Sequence, residues 1–130
     1  MTMMGEQSTY RKPPATTVML FGLPLRATAT EVADAIESAG FRRSFDLLSL
    51  PLKGRPSDGA HENLGYAFVN FVNPEDASMF LQTFAGYHFD NAPDKHVSAQ
   101  LARAQGFQAC MKMLRRSMSS GQHASAIFPL

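Results

Sequence analysis

The sequence has one cysteine, no long apolar run and almost no net charge. Because Cys110 is the single cysteine, an intramolecular disulfide and the thiolate-rich zinc sites are excluded. No window holds the roughly 18 to 20 consecutive apolar residues that a transmembrane helix needs. The polar N-terminus lacks the apolar core of a signal peptide. We therefore expect one intracellular domain without a membrane segment.

Charge is nearly balanced overall but unevenly distributed along the chain. The 12 Lys and Arg residues against 11 Asp and Glu give a net charge of +1, which excludes a polycation that binds nucleic acid by bulk charge alone. Residues 95–130 nevertheless carry five basic side chains and no acidic one. This asymmetry indicates either an anionic partner for the C-terminal part or a solvated basic helix face.

A catalytic or metal-binding constellation is missing as well. The four histidines have no ligand-like spacing with one another or with Cys110, and there is no glycine-rich phosphate loop with its lysine. The paired carboxylates Glu75 and Asp76 stand at a predicted helix start, where capping explains them. We therefore expect no enzyme, no metal and no cofactor.

What the sequence does contain is a regular alternation of strand and helix patterns. Apolar or β-branched runs predict four strands, at Thr16–Leu23, Phe45–Leu50, Gly65–Val72 and His96–Leu101. A capping box at Thr28 and Glu31 and apolar spacing predict a helix over 29–39, and Asn73-Pro74 begins a second helix. The order predicts an α+β, ferredoxin-like βαββαβ sandwich: a four-stranded antiparallel sheet with two helices on one face.

The same patterns set the expected organisation of the chain. Residues 1–15 end in Lys12-Pro13-Pro14 and are predicted to be a disordered lead. The sandwich is predicted over residues 16–103 and an extra C-terminal helix over 104–117, with Phe107, Cys110, Met111 and Leu114 on one side. The Ser- and Gly-rich residues 118–130 are predicted to be a flexible tail.

Strand parity indicates an open sheet face that is rich in large side chains. In the third strand, Ala67, Val69 and Phe71 suit the helix-covered core, which leaves their neighbours on the other face. The predicted open face carries Met19, Phe21, Tyr66, Phe68 and Asn70, with His96, Ser98 and Gln100 at one edge. A face of this kind needs a flat partner or a covering element.

The strand sequences themselves resemble a known RNA-binding family. Leu64–Phe71 (LGYAFVNF) fits seven of eight places of the ribonucleoprotein octamer of the RNA recognition motif, and Val18–Leu23 (VMLFGL) lies where the companion hexamer belongs. The resemblance implies that exposed rings on the two central strands stack on splayed bases. Three residues depart from the usual pattern: Leu64 replaces a basic residue, Gly22 an asparagine and Met19 a stacking aromatic.

Other segments narrow this resemblance to the C-terminal RNA recognition motif of the Mei-two-like proteins, a meiosis-regulator group. The similar segments include Thr16–Met19, Phe45-Asp46, Asn63–Val72 and, most specifically, Ala102–Gly106 (ARAQG). The resemblance implies a single-stranded RNA-binding module that serves post-transcriptional or meiotic and developmental RNA regulation, and we expect the chain to be a monomer. It also implies a location in the nucleus, the cytoplasm or both.

Two readings of the open face remain. In the first, RNA is bound by Met19, Phe21, Tyr66, Phe68, Asn70, Ser98, Gln100, Arg26, Lys53 and Arg103. A basic rim of Arg103, Lys112, Arg115 and Arg116 would hold the backbone. In the second, the C-terminal helix or a partner peptide covers the rings, and the domain mediates protein–protein interaction. An acylphosphatase-like enzyme shares this topology, but the segment Pro24–Thr28 lacks the glycines of a phosphate cradle.

Overall fold

A computed structural model describes residues 14–54 and 62–130. One antiparallel sheet in the order β4-β1-β3-β2-β5 is formed by β1 (Thr17–Phe21), β2 (Phe45–Pro51), β3 (Tyr66–Phe71), β4 (Ser98–Leu101) and β5 (Ala124–Ile127). The helices are α1 (Ala29–Ile36), which continues into a π-helical turn (Glu37–Phe41), α2 (Pro74–Phe84) and α3 (Phe107–Ser119). The predicted ferredoxin-like plan with an extra C-terminal helix is confirmed. Residues 1–13 of the predicted N-terminal lead lie outside the described residues.

Local sequence signals account for the first helix. The Thr28 hydroxyl accepts a hydrogen bond from the Glu31 backbone N–H at 3.1 Å, and the Glu31 carboxylate accepts one from the Thr28 N–H at 2.9 Å. This reciprocal capping box satisfies two of the helix's free N-terminal donors. The regular helix ends at Ile36, and the π-helical turn that follows contains Gly40 at a φ of 107°, which favours glycine. The helix start that the sequence predicts is therefore confirmed.

The core lies between the sheet and the pair α1 and α2. The β3 residues Ala67, Val69 and Phe71 are buried there, as strand parity predicts. The rings of Phe71 and Phe80 lie 4.8 Å apart, and further rings extend this cluster. Aromatic packing of this kind fixes α2 against the sheet and directs the opposite sheet face away from the core.

The C-terminal residues differ from the predicted flexible tail over 118–130. Here α3 continues to Ser119, and β5 then pairs antiparallel with β2, which makes a fifth strand where four were predicted. The Gln122 side chain donates to the Leu52 carbonyl at 2.8 Å, and Ile127 packs against the core. Because β5 satisfies the open edge of β2, pairing outweighs the loop-like composition of this segment.

Backbone pairing also sets the start of β4 and the residue at position 22. The predicted fourth strand begins at His96, but the Val97 backbone pairs with Gly86 and Tyr87, so that β4 begins at Ser98. Gly22 has a φ of 78°, and a Cβ there would lie 2.6 Å from the His96 carbonyl oxygen. Only glycine tolerates this combination, which explains the departure from asparagine. None of the helices in residues 14–54 and 62–130 has the length and hydropathy of a membrane-spanning segment.

Candidate nucleic-acid interface

The sheet face opposite α1 and α2 is divided into two parts by α3. The covered half lies beneath α3 and consists of Thr17, Leu47, Ser49 and Asn70. The uncovered half lies toward β4 and consists of Met19, Phe21, Ser98 and Gln100. Tyr66 and Phe68 of β3 lie between the two halves and form their border.

Cross-strand register arranges the uncovered half and the border in two rows. Met19 is paired with Gln100 on one side and with Phe68 on the other. Phe21 is likewise paired with Ser98 and with Tyr66. Side chains directly opposite each other on one sheet face are in contact range. Each row therefore places a polar side chain at the sheet edge and an apolar pair beside it.

The three rings in these rows are partly exposed and close together. The centroids of Phe21 and Tyr66 are 6.4 Å apart with the rings tilted by 39°. Those of Tyr66 and Phe68 are 5.8 Å apart and nearly perpendicular. The result is an apolar surface with both ring faces and ring edges available to planar groups.

Asn70 lies in a different environment from the one that the open-face prediction gave it. Its side chain is on the predicted sheet face, but α3 covers that position and the residue is 3% exposed. The amide oxygen accepts hydrogen bonds from the Thr16 and Thr17 hydroxyls at 2.9 and 2.7 Å. The amide nitrogen donates to the Asp46 carboxylate at 2.9 Å. Asn70 therefore belongs to a buried network and presents no polar atom to a base in this arrangement.

Gln105 anchors the start of α3 to β1, a role that the sequence analysis missed. Its side-chain oxygen accepts from the Thr16 and Thr17 backbone N–H groups, both at 2.8 Å. Its side-chain nitrogen donates to the carbonyls of Thr17 at 2.9 Å and Ala102 at 2.7 Å. The adjacent Gly106, at a φ of 98°, donates its N–H to the Thr17 hydroxyl at 2.8 Å. The ARAQG run was the only sequence signal for this anchor.

The inner side of α3 closes the covered half. Cys110 is buried, with its sulfur 3.8 Å from the Thr17 hydroxyl oxygen. Burial raises the pKa of the Cys110 thiol, the Thr17 hydrogen bond lowers it, and the Asp46 charge raises it further. Because the net direction is upward, Cys110 is a protonated packing residue at neutral pH. Phe107, at the start of the helix, contacts Phe128 with centroids 6.4 Å apart.

Three of the predicted basic contacts lie in exposed positions around the sheet. Arg26 is in the β1–α1 loop, which the buried Asn63 amide holds by donating to the Pro24 and Ala27 carbonyls at 2.9 Å. Arg103 is exposed after β4. The Lys53 ammonium lies 3.9 Å from the Glu62 carboxylate, which offsets part of its charge.

The outer side of α3 is basic. Lys112, Arg115 and Arg116 are exposed and line one shallow depression with Ser119 and Ser120. Among the described residues, none of these three cations forms an ion pair. They lie on the side of the helix opposite Cys110, which faces the sheet. The predicted cationic rim is thus a patch on the helix that divides the sheet face.

Comparisons with known proteins agree on the family of this sequence. The family model described as RNA recognition motif 2 matches residues 15–115. Protein MEI2-like 4 of Oryza sativa subsp. japonica is 30% identical over 103 residues, which are 78% of this chain and 10% of that protein. Protein MEI2-like 3 of Arabidopsis thaliana is 30% identical over 105 residues, which are 80% of this chain and 13% of that protein. The resemblance to the Mei-two-like group is confirmed, and the chain spans about a tenth of the length of these relatives.

Solved structures show the same fold at low sequence identity. The structure of the Rna15 RRM with bound RNA (GU) has a TM-score of 0.59 at 16% identity and covers 79% of this chain and 99% of that one. The sex-lethal RNA recognition domains 1 and 2 from Drosophila melanogaster have a TM-score of 0.52 at 20% identity, covering 68% of this chain and 50% of theirs. These similarities establish the architecture of the sheet and its two helices.

Proposed function

Because this chain belongs to the RNA recognition motif family of RNA-binding modules, we propose that it binds single-stranded RNA on the uncovered half of its sheet. The observation that carries the proposal is the pair of cross-strand rows in which Met19, Phe21, Tyr66 and Phe68 form a partly exposed apolar surface. Bases that are splayed from a single strand stack on surfaces of this kind. Met19 contributes a softer, polarizable contact than a ring would.

Polar side chains at the sheet edge supply the base-edge contacts in this proposal. Ser98 and Gln100 are exposed at the β4 end of the two rows. Each can both donate and accept a hydrogen bond, which matches the mixed donors and acceptors of a base edge. Asn70, which was predicted for this role, is engaged within the covered half and is left out of the proposed site.

The cations around the sheet hold the RNA backbone in this proposal. The outer patch of α3, formed by Lys112, Arg115 and Arg116, is exposed on the helix that divides the sheet face. Arg26 and Arg103 add charge at other points of the rim. Phosphate contacts position a strand without reading its sequence. Since the net charge is only +1, base stacking contributes more to the affinity than bulk charge does.

Anisotropy measurements on labelled single-stranded RNA test this proposal. The double variant Tyr66→Ala/Phe68→Ala removes two stacking rings, and alanine substitution costs about 1–3 kcal/mol per base. We expect the affinity of a random eight-nucleotide pool to fall by a factor of about 30 or more. Unchanged binding by a folded double variant would refute the site.

A methionine pair supplies the matched control. Met19→Ala changes the uncovered half, whereas Met79→Ala changes an exposed methionine on α2, across the sheet from this surface. We expect the first variant to weaken RNA binding about fivefold and the second to leave it unchanged. Equal effects of the two variants would mean that the rows are not the contact surface.

A protein-interaction domain is the second candidate, favoured by the cover that α3 provides over half of the face. If the folded chain binds no RNA, that result would support this candidate.

We further propose that the chain is a non-enzymatic monomer that serves meiotic or developmental RNA regulation in the nucleus or cytoplasm. Sedimentation of the purified chain and ultraviolet crosslinking to cellular RNA test these points.

A further inference from the structure

A cleft between α3 and the sheet begins where the uncovered half ends. Its volume is about 360 Å³, within the range of small-molecule sites. The floor is formed by Tyr66, Phe68 and Ser49, and the wall by Met113, Leu114 and Ser117 of α3. Gln122 and Ala124 line it where the chain returns as β5. The same two rings thus border the uncovered half and form the floor of an adjoining cleft.

The floor of this cleft carries a polar group without a protein partner. Ser49 is 8% exposed, lines the cleft and stands directly opposite Phe68 in the β2–β3 register. Within residues 14–54 and 62–130, its hydroxyl forms no hydrogen bond with another residue. Because no buried side-chain polar atom among the described residues lacks a hydrogen-bond partner, the Ser49 hydroxyl is open to the cleft, where a ligand or solvent can bond it. The cleft therefore combines an aromatic floor with one accessible hydroxyl that can donate and accept a hydrogen bond.

We propose that this cleft receives a single RNA base, so that α3 is a wall of the RNA site and not a lid over it. The inference rests on the proposed function. A base stacked on Phe68 would present its edge to the Ser49 hydroxyl, because the two residues are cross-strand neighbours. The apolar Met113 and Leu114 side chains would contact its other surfaces.

The position of the cleft also decides which ligand it suits. A strand that crosses the rows from β4 toward β2 reaches the cleft after Tyr66 and Phe68, and α3 then blocks its way. Its backbone must leave over the outer side of the helix, where Lys112, Arg115 and Arg116 stand. The apolar and hydroxyl groups that line the cleft suit a base, and the cations on the outer side of α3 suit the phosphates that follow it.

Filling the cleft tests the inference. Ser117→Leu places a larger side chain in the cleft, whereas Ser78→Leu makes the same change at an exposed position of α2, on the opposite side of the sheet. The probes are labelled eight-nucleotide oligo(A), oligo(C) and oligo(U), titrated by anisotropy. We expect Ser117→Leu to lose about tenfold in affinity for the preferred oligonucleotide and to discriminate less among the three. Ser78→Leu should behave as wild type.

A smaller change examines the hydroxyl itself and does not depend on the leucine variant folding. Ser49→Ala should reduce discrimination among the three oligonucleotides while costing about threefold in affinity. In the wild-type chain, amide NMR signals of Ser49, Phe68 and Ser117 should shift when the nucleoside monophosphate of the preferred base is added. Absence of both effects would overturn the inference.

The outcomes separate this inference from the proposed function. Wild-type affinity and base preference in Ser117→Leu would overturn the base pocket and leave RNA binding on the uncovered half intact. Tighter binding by Ser117→Leu would also overturn it, because a displaced α3 that exposes more sheet is a lid. Failure of the wild-type chain to bind any of the three oligonucleotides would refute the proposed function itself.

Discussion

Thr17 and Met19 stand two residues apart on the same side of β1, yet their surroundings are opposite. Thr17 is buried under the start of α3 and bonded to Gly106 and Asn70, whereas Met19 is partly exposed beside Gln100. The contrast shows that strand parity decides which sheet face a side chain joins. The element that lies on that face decides whether the residue stabilises the fold or contacts a ligand.

Releasing α3 from β1 would remove the difference between the surroundings of Thr17 and Met19, and we expect it to have the largest effect on stability. Gln105→Ala removes four hydrogen bonds, three of which join the helix start to Thr16 and Thr17 at the beginning of β1. At about 0.5–1.5 kcal/mol each, we expect the free energy of unfolding to fall by about 2–6 kcal/mol. Gln108→Ala, an exposed position on the same helix, serves as the control. Equal urea-denaturation midpoints for the two variants would contradict the anchor.

A pair of amide side chains tests the two halves directly. Asn70→Ala should lower the free energy of unfolding by about 1–3 kcal/mol, because the Thr16 and Thr17 hydroxyls and the Asp46 carboxylate lose a partner. RNA affinity should change less than about twofold. Gln100→Ala should do the reverse, leaving stability within about 0.5 kcal/mol and weakening RNA binding. Denaturation and anisotropy on both variants check this, and a large affinity loss in Asn70→Ala would return that residue to the interface.

The parts of the fold that local patterns specify were predictable from the sequence. Thr28 and Glu31 fixed the start of α1, and the alternation of Tyr66–Phe71 identified the buried side of β3. The fifth strand was missed because Ala124–Ile127 is short and has small residues. Its stability comes from pairing with β2, a long-range contact that no local pattern encodes.

The sequence was enough to predict which sheet face carries the candidate site, but not which residues of that face are exposed. The rows containing Met19, Phe21, Tyr66 and Phe68 follow from strand parity and pairing order. The burial of Asn70 depends on where α3 lies, which is set by the Gln105 and Gly106 contacts with β1, 88 and 89 residues away along the chain. An apolar stripe on α3 indicated that the helix could cover the sheet, but not which half.

Salt dependence separates the outer patch of α3 from the stacking rows. Arg115→Ala/Arg116→Ala removes two exposed cations that line the patch, and Arg42→Ala/Arg43→Ala removes two adjacent exposed arginines after the π-helical turn. Affinity for RNA falls as salt rises, and each lost contact with a single-stranded phosphate makes the slope of log affinity against log salt shallower by about 0.7. We expect the first double variant to reduce the slope by about 1.4 and the second to leave it unchanged. Identical slopes would remove the patch from the interface.

The smallest effect concerns the Cys110 thiol, which helps to hold the covered half closed. Burial foremost, and the Asp46 charge after it, raises the thiol's pKa above that of the unfolded chain, although the Thr17 hydrogen bond acts against them. Because the folded state binds the thiol proton more tightly than the unfolded state does, the protonated thiol makes its full contribution to stability at pH values below the pKa of the unfolded chain. That contribution is lost as pH rises through the folded-state value.

Comparison with a variant that cannot titrate at this position isolates this effect. Between neutral pH and about pH 10, wild type should lose more free energy of unfolding than Cys110→Ala, because the remaining titrating groups are common to both chains. Urea denaturation of both proteins at the two pH values measures the difference. A difference that does not change with pH would mean that the thiolate is accommodated beneath α3. In that case the covered half would be less dry, and less distinct from the uncovered half, than the contacts of Thr17 and Asn70 indicate.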